Sequence, residues 1–129
     1  MPVAAAMKVL VVDDQRSIRA LVRNSLNDLG CRLVTEAEDG EDAWRRLQGQ
    51  PAHLVISDVN MPKLDGLGLL RAVRSSPQLK GIGFIMLTSR GDAEVVQEAV
   101  KLGVNNYLMK PFALGALKKK IESVFGPLT

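Results

Sequence analysis

The chain has 129 residues, of which 47% are hydrophobic and 24% charged, and its formal net charge is +3 at pH 7. This length fits one domain with its own core, and the composition is that of an ordinary globular protein. No apolar run approaches the roughly 18 residues of a membrane-spanning helix. The basic residues lack the density and the interleaved aromatic side chains of a nucleic-acid binder. We therefore expect a cytoplasmic protein with no membrane partner, and the composition argues against direct nucleic-acid binding.

The ends of the chain and its cysteine content limit the architecture further. Residues 1–6 are small and mostly apolar but lack the basic flank and apolar length of a secretory signal. We expect them to form a disordered lead-in to one domain over 7–126. Cys31 is the only cysteine, which excludes an internal disulfide and a thiolate metal cluster.

The first part of the chain alternates a short apolar run with a helical pattern, twice. Residues 8–12 are a β-branched run that predicts a strand, and the three- and four-residue spacing of apolar residues over 18–29 predicts a helix that Gly30 ends. A second strand is predicted at 32–37. Asp39 follows it at a position suited to cap a second helix.

The middle of the chain repeats this alternation. A third strand is predicted at 53–57, a loop at 58–65 and a third helix at 66–75. Residues 82–87 are an almost unbroken apolar run, which is typical of a central strand covered on both faces.

The last part of the chain contains two further helices and a strand. A fourth helix is predicted at about 92–102, and the shorter, more polar run at 105–109 suits a strand at the edge of a sheet. The last helix, at about 113–125, is expected to place Leu114 inward and to leave the lysines facing water, namely Lys118, Lys119 and Lys120.

Five strands that alternate with five helices predict the α/β class. The specific expectation is a flavodoxin-like doubly wound (βα)5 sandwich with a five-stranded parallel sheet in the order 2-1-3-4-5. Right-handed crossovers and helices on both faces favour that order, which is taken from known doubly wound folds.

The predicted strands all end in polar residues of particular kinds, in the order Asp13-Asp14, Glu36, Asp58, Thr88-Ser89 and Lys110-Pro111. The carboxyl ends of parallel strands lie along one edge of a sheet, where α/β folds bind ligands. Each of these residues alone is a common cap or turn residue. Their joint order is what predicts a site for phosphoryl transfer.

Three carboxylates in one crevice, from Asp13, Asp14 and Asp58, require a cation. Magnesium is the natural choice because it prefers oxygen ligands, keeps several waters and binds phosphate oxygens. Asp58 can then act as a nucleophile on phosphorus. The hydroxyl of Thr88 and the ammonium of Lys110 would donate to the phosphoryl oxygens.

Five motifs stand in order between Met7 and Phe125: VVDD, EAEDG, ISDVNMPKLDG, LTS and KPF. On these motifs the chain resembles the receiver domain of two-component response regulators, most closely the stand-alone chemotaxis type. The resemblance implies that Asp58 accepts a phosphoryl group from a sensor histidine kinase or a phosphotransfer protein. It also implies that Mg²⁺ is bound by Asp14, Asp58 and the backbone carbonyl of Asn60, and by Asp13 through water.

The resemblance implies further roles at the same end of the molecule. Thr88 and Tyr107 would form the switch, Asn60 and Arg90 would tune the phosphate lifetime, and the Lys110-Pro111 bond would be cis. An output protein, with the flagellar motor switch as one candidate, would bind the fourth helix, the fifth strand and the fifth helix. Its contact residues would be Tyr107, Lys118 and Lys119.

Two other functions stay open. The chain could be the receiver part of a longer regulator with a DNA-binding or enzymatic output domain. It could also be a phosphohydrolase with the same nucleophile, although such an enzyme would have a second acid where Asn60 stands. We expect a switch that catalyses only its own phosphorylation and dephosphorylation.

Overall fold

A five-stranded parallel sheet forms the centre of the molecule, in a computed structural model that describes residues 3–89 and 92–129. The strands pair in the order β2-β1-β3-β4-β5, which confirms the predicted topology. Their bounds are β1 (Lys8–Val12), β2 (Leu33–Ala37), β3 (Leu54–Asp58), β4 (Gly83–Thr88) and β5 (Asn106–Met109).

One helix follows each strand, and the first four return the chain to the start of the next strand. The bounds are α1 (Arg16–Asp28), α2 (Gly40–Gly49), α3 (Gly66–Ser75), α4 (Ala93–Lys101) and α5 (Leu114–Phe125). Asp39 caps α2 as predicted, since its side chain accepts a hydrogen bond from the Asp42 N–H. Within the described residues, none of these helices is long and apolar enough to cross a membrane.

The sheet separates two hydrophobic layers because successive strand residues point to opposite faces. Val9 and Val11 pack in one layer with α1 and α5, whereas Leu10 and Val12 pack in the other with α2, α3 and α4. The residues 84–87 of β4 are completely buried, as expected for a strand with helices on both faces.

Two strands extend one residue further than predicted, and each added residue is one of the predicted site residues. β3 ends at Asp58 and β4 ends at Thr88, whereas the predicted strands end one residue earlier. The ladder continues here because Asp58 pairs with Leu87 and Thr88 pairs with Met109. The strand pairing therefore holds the backbones of Asp58 and Thr88.

The structure differs from three expectations for the ends of the chain. Ala4–Ala6 form a short 3-10 helix, and Ala4 is buried with its N–H donated to the Thr129 carbonyl at 3.1 Å, so this part of the lead-in is ordered. Leu114 is 39% exposed because it is the first residue of α5 and lies beyond the core. Lys120 is half-buried, and its ammonium lies over the Tyr107 ring rather than in water.

Candidate functional site

The carboxyl edge of the sheet brings together the acidic residues that follow β1 and end β3. Asp13 and Asp14 leave β1, and Asp58 is the last residue of the neighbouring β3. One carboxylate oxygen from each of the three residues lies within 4.8 Å of the other two. The sequence prediction that these carboxylates share one crevice is therefore met.

Asp13 is fully buried, and all but one of its polar atoms have a hydrogen-bond partner. Its N–H donates to the Ala37 carbonyl at 3.2 Å, its Oδ1 accepts from the Gln15 N–H at 2.8 Å, and its carbonyl accepts from Arg19 at 2.6 Å. Its Oδ2 is buried and has no hydrogen-bond partner within residues 3–89 and 92–129. That oxygen lies 3.8 Å from the ammonium of Lys110.

The electrostatics of the crevice are unfavourable for a third negative charge. Burial raises the pKa of Asp13 to about 6; the Gln15 N–H lowers it, the charge of Asp58 raises it, Lys110 lowers it and Asp14 raises it. A cation in the crevice would relieve this repulsion. The carboxylate oxygens, including the unpaired Asp13 Oδ2, fit a hard divalent cation such as Mg²⁺.

Lys110 reaches Asp58 from the end of β5. Its ammonium donates to Asp58 Oδ1 at 3.0 Å, and the same oxygen accepts from the Val59 N–H at 2.9 Å. The strand pairing positions this lysine, because its N–H donates to the Thr88 carbonyl at 2.8 Å. The Lys110-Pro111 bond is cis, as the resemblance implies. The Asp58 carboxylate is thus oriented and partly neutralised before any ligand binds.

Thr88 and Tyr107 lie on adjacent strands beside this cluster. Thr88 is buried, and its hydroxyl lies 3.5 Å from the Leu108 carbonyl, a weak hydrogen bond at most. Tyr107 is 42% exposed, and the Lys120 ammonium lies 5.3 Å from the centre of its ring. The Thr88 hydroxyl is therefore free to take a better acceptor, and the Tyr107 side chain is accessible to solvent.

The other predicted residues belong to different segments of the chain. Asn60 is exposed in the loop after β3, and Lys118 and Lys119 are exposed on α5. Arg90 lies outside the described residues. Glu36, at the end of β2, forms ion pairs with Arg19 and Arg23 rather than facing the carboxylates.

Sequence reasoning missed several residues that shape the site. The side chain of Asp92 is buried and accepts from the N–H and the hydroxyl of Ser89, at 2.7 and 2.9 Å. The Ser-x-x-Asp spacing of a helix cap could have indicated this pair. The sequence predicts Gly66 only as the start of a helix, yet a Cβ there would lie 2.3 Å from the Asp58 carbonyl oxygen. The contact of Arg19 with Asp13 has no local sequence signal.

Comparison with known proteins gives a consistent result. The model of the response regulator receiver domain matches residues 9–122. The probable chemotaxis protein CheY of Rhizobium etli is 50% identical over 128 residues, which cover 99% of both chains. The chemotaxis protein CheY1 of Helicobacter pylori is 45% identical over 121 residues, or 93% of this chain and 98% of the relative.

Solved structures agree with this assignment. The chemotaxis response regulator CheY4 of Vibrio cholerae superposes with a TM-score of 0.83 at 39% identity, over 92% of this chain and 98% of that one. A putative response regulator from Chloroflexus aurantiacus superposes with a TM-score of 0.86 at 29% identity, over 96% and 98%. The sheet order, the acidic cluster and these matches together establish that the chain belongs to the family of response regulator receiver domains.

Proposed function

We propose that this chain is a Mg²⁺-dependent phosphorylation switch and that Asp58 is its phosphoacceptor. One observation carries the proposal: the Asp58 carboxylate is held by Lys110 at 3.0 Å and lies within 4.8 Å of the carboxylates of Asp13 and Asp14. A nucleophile and a metal-binding acid pair are the groups that transfer to an aspartate needs, and Lys110 is placed to pair with the phosphate that forms.

The reaction follows from these positions. A carboxylate oxygen of Asp58 attacks the phosphorus of a phosphohistidine on a sensor kinase or phosphotransfer protein. The P–N bond breaks, its electron pair stays on the imidazole, which takes a proton, and an acyl phosphate forms on Asp58. Attack of water on the same phosphorus later breaks the P–O bond to Asp58, which releases inorganic phosphate and restores the carboxylate. The chain is then a switch that turns over only its own modification and is not an enzyme toward other substrates.

Three acidic side chains would hold the metal, namely Asp13, Asp14 and Asp58, together with the backbone carbonyl of Asn60. When bound, Mg²⁺ offsets the repulsion between the attacking carboxylate and the phosphoryl oxygens. The Lys110 ammonium already lies beside Asp58 and would pair with the new phosphate charge. The loosely held Thr88 hydroxyl would donate to a phosphoryl oxygen.

The switch would act through Thr88 and Tyr107. If Thr88 moves toward the phosphate, it vacates space beside β5 into which the exposed Tyr107 ring can turn. Moving a population from 1:99 to 99:1 takes about 5.5 kcal/mol. Two hydrogen bonds to a charged phosphate, at about 1.5–3 kcal/mol each, supply most of that amount.

The output surface would be the face formed by α4, β5 and α5. It exposes apolar side chains on all three elements, Val100, Met109 and Leu114 among them, and Lys118 and Lys119 are exposed on α5. We propose that a cytoplasmic output protein binds here through Tyr107, Lys118 and Lys119. Because relatives of this chain are chemotaxis proteins, the flagellar motor switch is the first candidate.

Phosphoryl uptake from a small phosphodonor tests the acceptor. Intact-mass measurement after incubation with acetyl phosphate and MgCl2 should show one added phosphoryl group, which disappears in Asp58→Asn. Asp65→Asn is the matched control, because Asp65 lies in the loop that follows Asp58 and caps α3 through the Gly68 N–H, a role asparagine keeps. Uptake by Asp58→Asn equal to the unmodified chain would refute the assignment.

The output surface is tested with beryllofluoride, which mimics the phosphoryl group. We expect a candidate motor-switch protein to be retained only in its presence, and Lys118→Glu with Lys119→Glu to weaken retention. Lys63→Glu is the control, since Lys63 belongs to the loop after β3 and not to α4, β5 or α5. Retention that is indifferent to beryllofluoride would remove this part of the proposal.

A further inference from the structure

Glu36 is the one strand-end acid that the proposed mechanism leaves unused, and two arginines of α1 bind it. Its Oε1 accepts from Arg19 Nε at 3.0 Å, and its Oε2 contacts Arg23 Nη1. Arg23 also donates to the Val34 carbonyl at 2.7 Å. Because the hydrogen bonds from Arg23 and Arg19 outweigh the effect of burial, the pKa of Glu36 lies below its usual value. Glu36 therefore joins α1 to β2 as an ionised group.

Arg19 makes a second contact, and that contact reaches the acidic cluster. Its Nη1 donates to the backbone carbonyl of Asp13 at 2.6 Å. This carbonyl belongs to the peptide group that joins Asp13 to Asp14. Arg19 thus holds the plane of the peptide between two carboxylates that would bind the metal.

The other anchors of Asp13 explain why this contact matters. The Ala37 carbonyl holds its N–H and the Gln15 N–H holds its Oδ1, which leaves the buried Oδ2 directed at the cluster. Asp14, by contrast, is exposed. The direction of its side chain depends on the peptide plane that Arg19 holds.

The Arg19–Glu36 pair suits this task electrostatically. An unpaired cation beside the carboxylates would repel a metal ion. The Glu36 carboxylate, which Arg19 shares with Arg23, offsets part of the charge of Arg19 and leaves one arm of its guanidinium for Asp13. The Arg19 side chain is 15% exposed and that of Glu36 is 28% exposed, so the Arg19 end of the pair is the better shielded from water. A lysine would keep the charge but has no planar fork that can hold two acceptors in fixed directions.

We propose that Arg19 is a positioning residue for the metal site and that Glu36 orients it. This inference rests on the proposed Mg²⁺-dependent function. Partners that orient metal ligands from the outer shell typically change metal affinity by about 10–100-fold when they are lost. We expect the lower end of that range, because Arg19 holds the ligands through the backbone.

Calorimetric titration of the full chain with MgCl2 tests the inference. Arg19→Lys should raise the dissociation constant for Mg²⁺ about tenfold. Arg23→Lys is the matched control. Arg23 lies one turn further along α1 and its substitution also removes a contact with Glu36, but Arg23 does not touch Asp13. The Mg²⁺ affinity of this variant should therefore change less than about twofold. Urea unfolding without metal establishes that each variant is folded.

Glu36→Gln gives a second test that does not alter Arg19. It should weaken Mg²⁺ binding more than Glu38→Gln, which removes the same charge from an exposed neighbour. If Arg19→Lys fails to fold, this pair alone decides the question, and equal affinities would overturn the inference.

The outcomes separate this inference from the proposed function. If the unmodified chain binds no Mg²⁺, both the inference and the proposed function are refuted. Normal Mg²⁺ binding by Arg19→Lys, or equal weakening by Arg23→Lys, overturns the role of Arg19 and leaves Asp58 as the acceptor.

Discussion

The buried charge of Asp13 leads to a prediction about stability: Asp13→Asn should make the metal-free protein more stable. The pKa of Asp13 is raised from 3.8 to about 6, chiefly by burial. One pKa unit corresponds to about 1.4 kcal/mol, so at pH 7 the ionised carboxylate costs the folded state about 3 kcal/mol. Asparagine keeps the shape and can still accept from the Gln15 N–H, and it places an amide where Asp13 Oδ2 has no partner.

The expected gain is about 2 kcal/mol in the free energy of unfolding at pH 7, because the fold will relax around a changed side chain. Urea unfolding followed by circular dichroism, in the presence of EDTA, measures it. Asp14→Asn is the matched control: it removes the same charge from an exposed neighbour, so its effect should stay within about 0.5 kcal/mol.

The pH dependence identifies the cause. Since the folded pKa of Asp13 is raised, the cost is absent below about pH 4, grows as the pH rises to about 6 and is constant above that. The stability difference between Asp13→Asn and the unmodified chain should follow the same course. A difference that does not vary with pH, or a variant less stable at pH 7, would refute the electrostatic reasoning.

Three further predictions concern the surroundings of Asp58. Gly66→Ala should destabilise the fold by about 2 kcal/mol or more and reduce phosphoryl uptake, because its Cβ would lie 2.3 Å from the Asp58 carbonyl oxygen. Gly49→Ala, with open space around it, should have neither effect. Urea unfolding measures the stability and intact mass measures the uptake. Lys110→Ala should still take up phosphate yet fail to retain an output protein, and normal retention would contradict its role. Asp92→Ala should lower the unfolding free energy by about 1–2 kcal/mol through the lost loop hydrogen bonds, and an unchanged urea midpoint would show that they contribute nothing.

Much of the site could be predicted because its signals are local. The end of a strand is marked where an apolar run gives way to a polar residue, and parallel strands share one edge whatever their order. Asp13, Asp58 and Lys110 therefore converge as the residue order indicates. The errors at the ends of β3 and β4 are one residue long, because ladder pairing with a neighbouring strand, which no local pattern reports, extends each of them.

The contacts that long-range packing creates could not be predicted. Arg19 meets Glu36 and the Asp13 carbonyl only because α1 crosses β1 and lies against β2. Likewise, Ala4 is buried because the end of the chain returns beside it, at Thr129. Both contacts join segments whose sequence patterns are unrelated.

Residue order and periodicity thus determine the alternation of elements and the set of groups available at the sheet edge. The tertiary structure decides which of those groups are buried, which are paired and which lack a hydrogen-bond partner. It pairs Glu36 with arginines and leaves Asp13 Oδ2 without a hydrogen-bond partner among the described residues. The physical reason is that burial and pairing depend on the neighbours each side chain meets in space, and those neighbours come from other strands and helices.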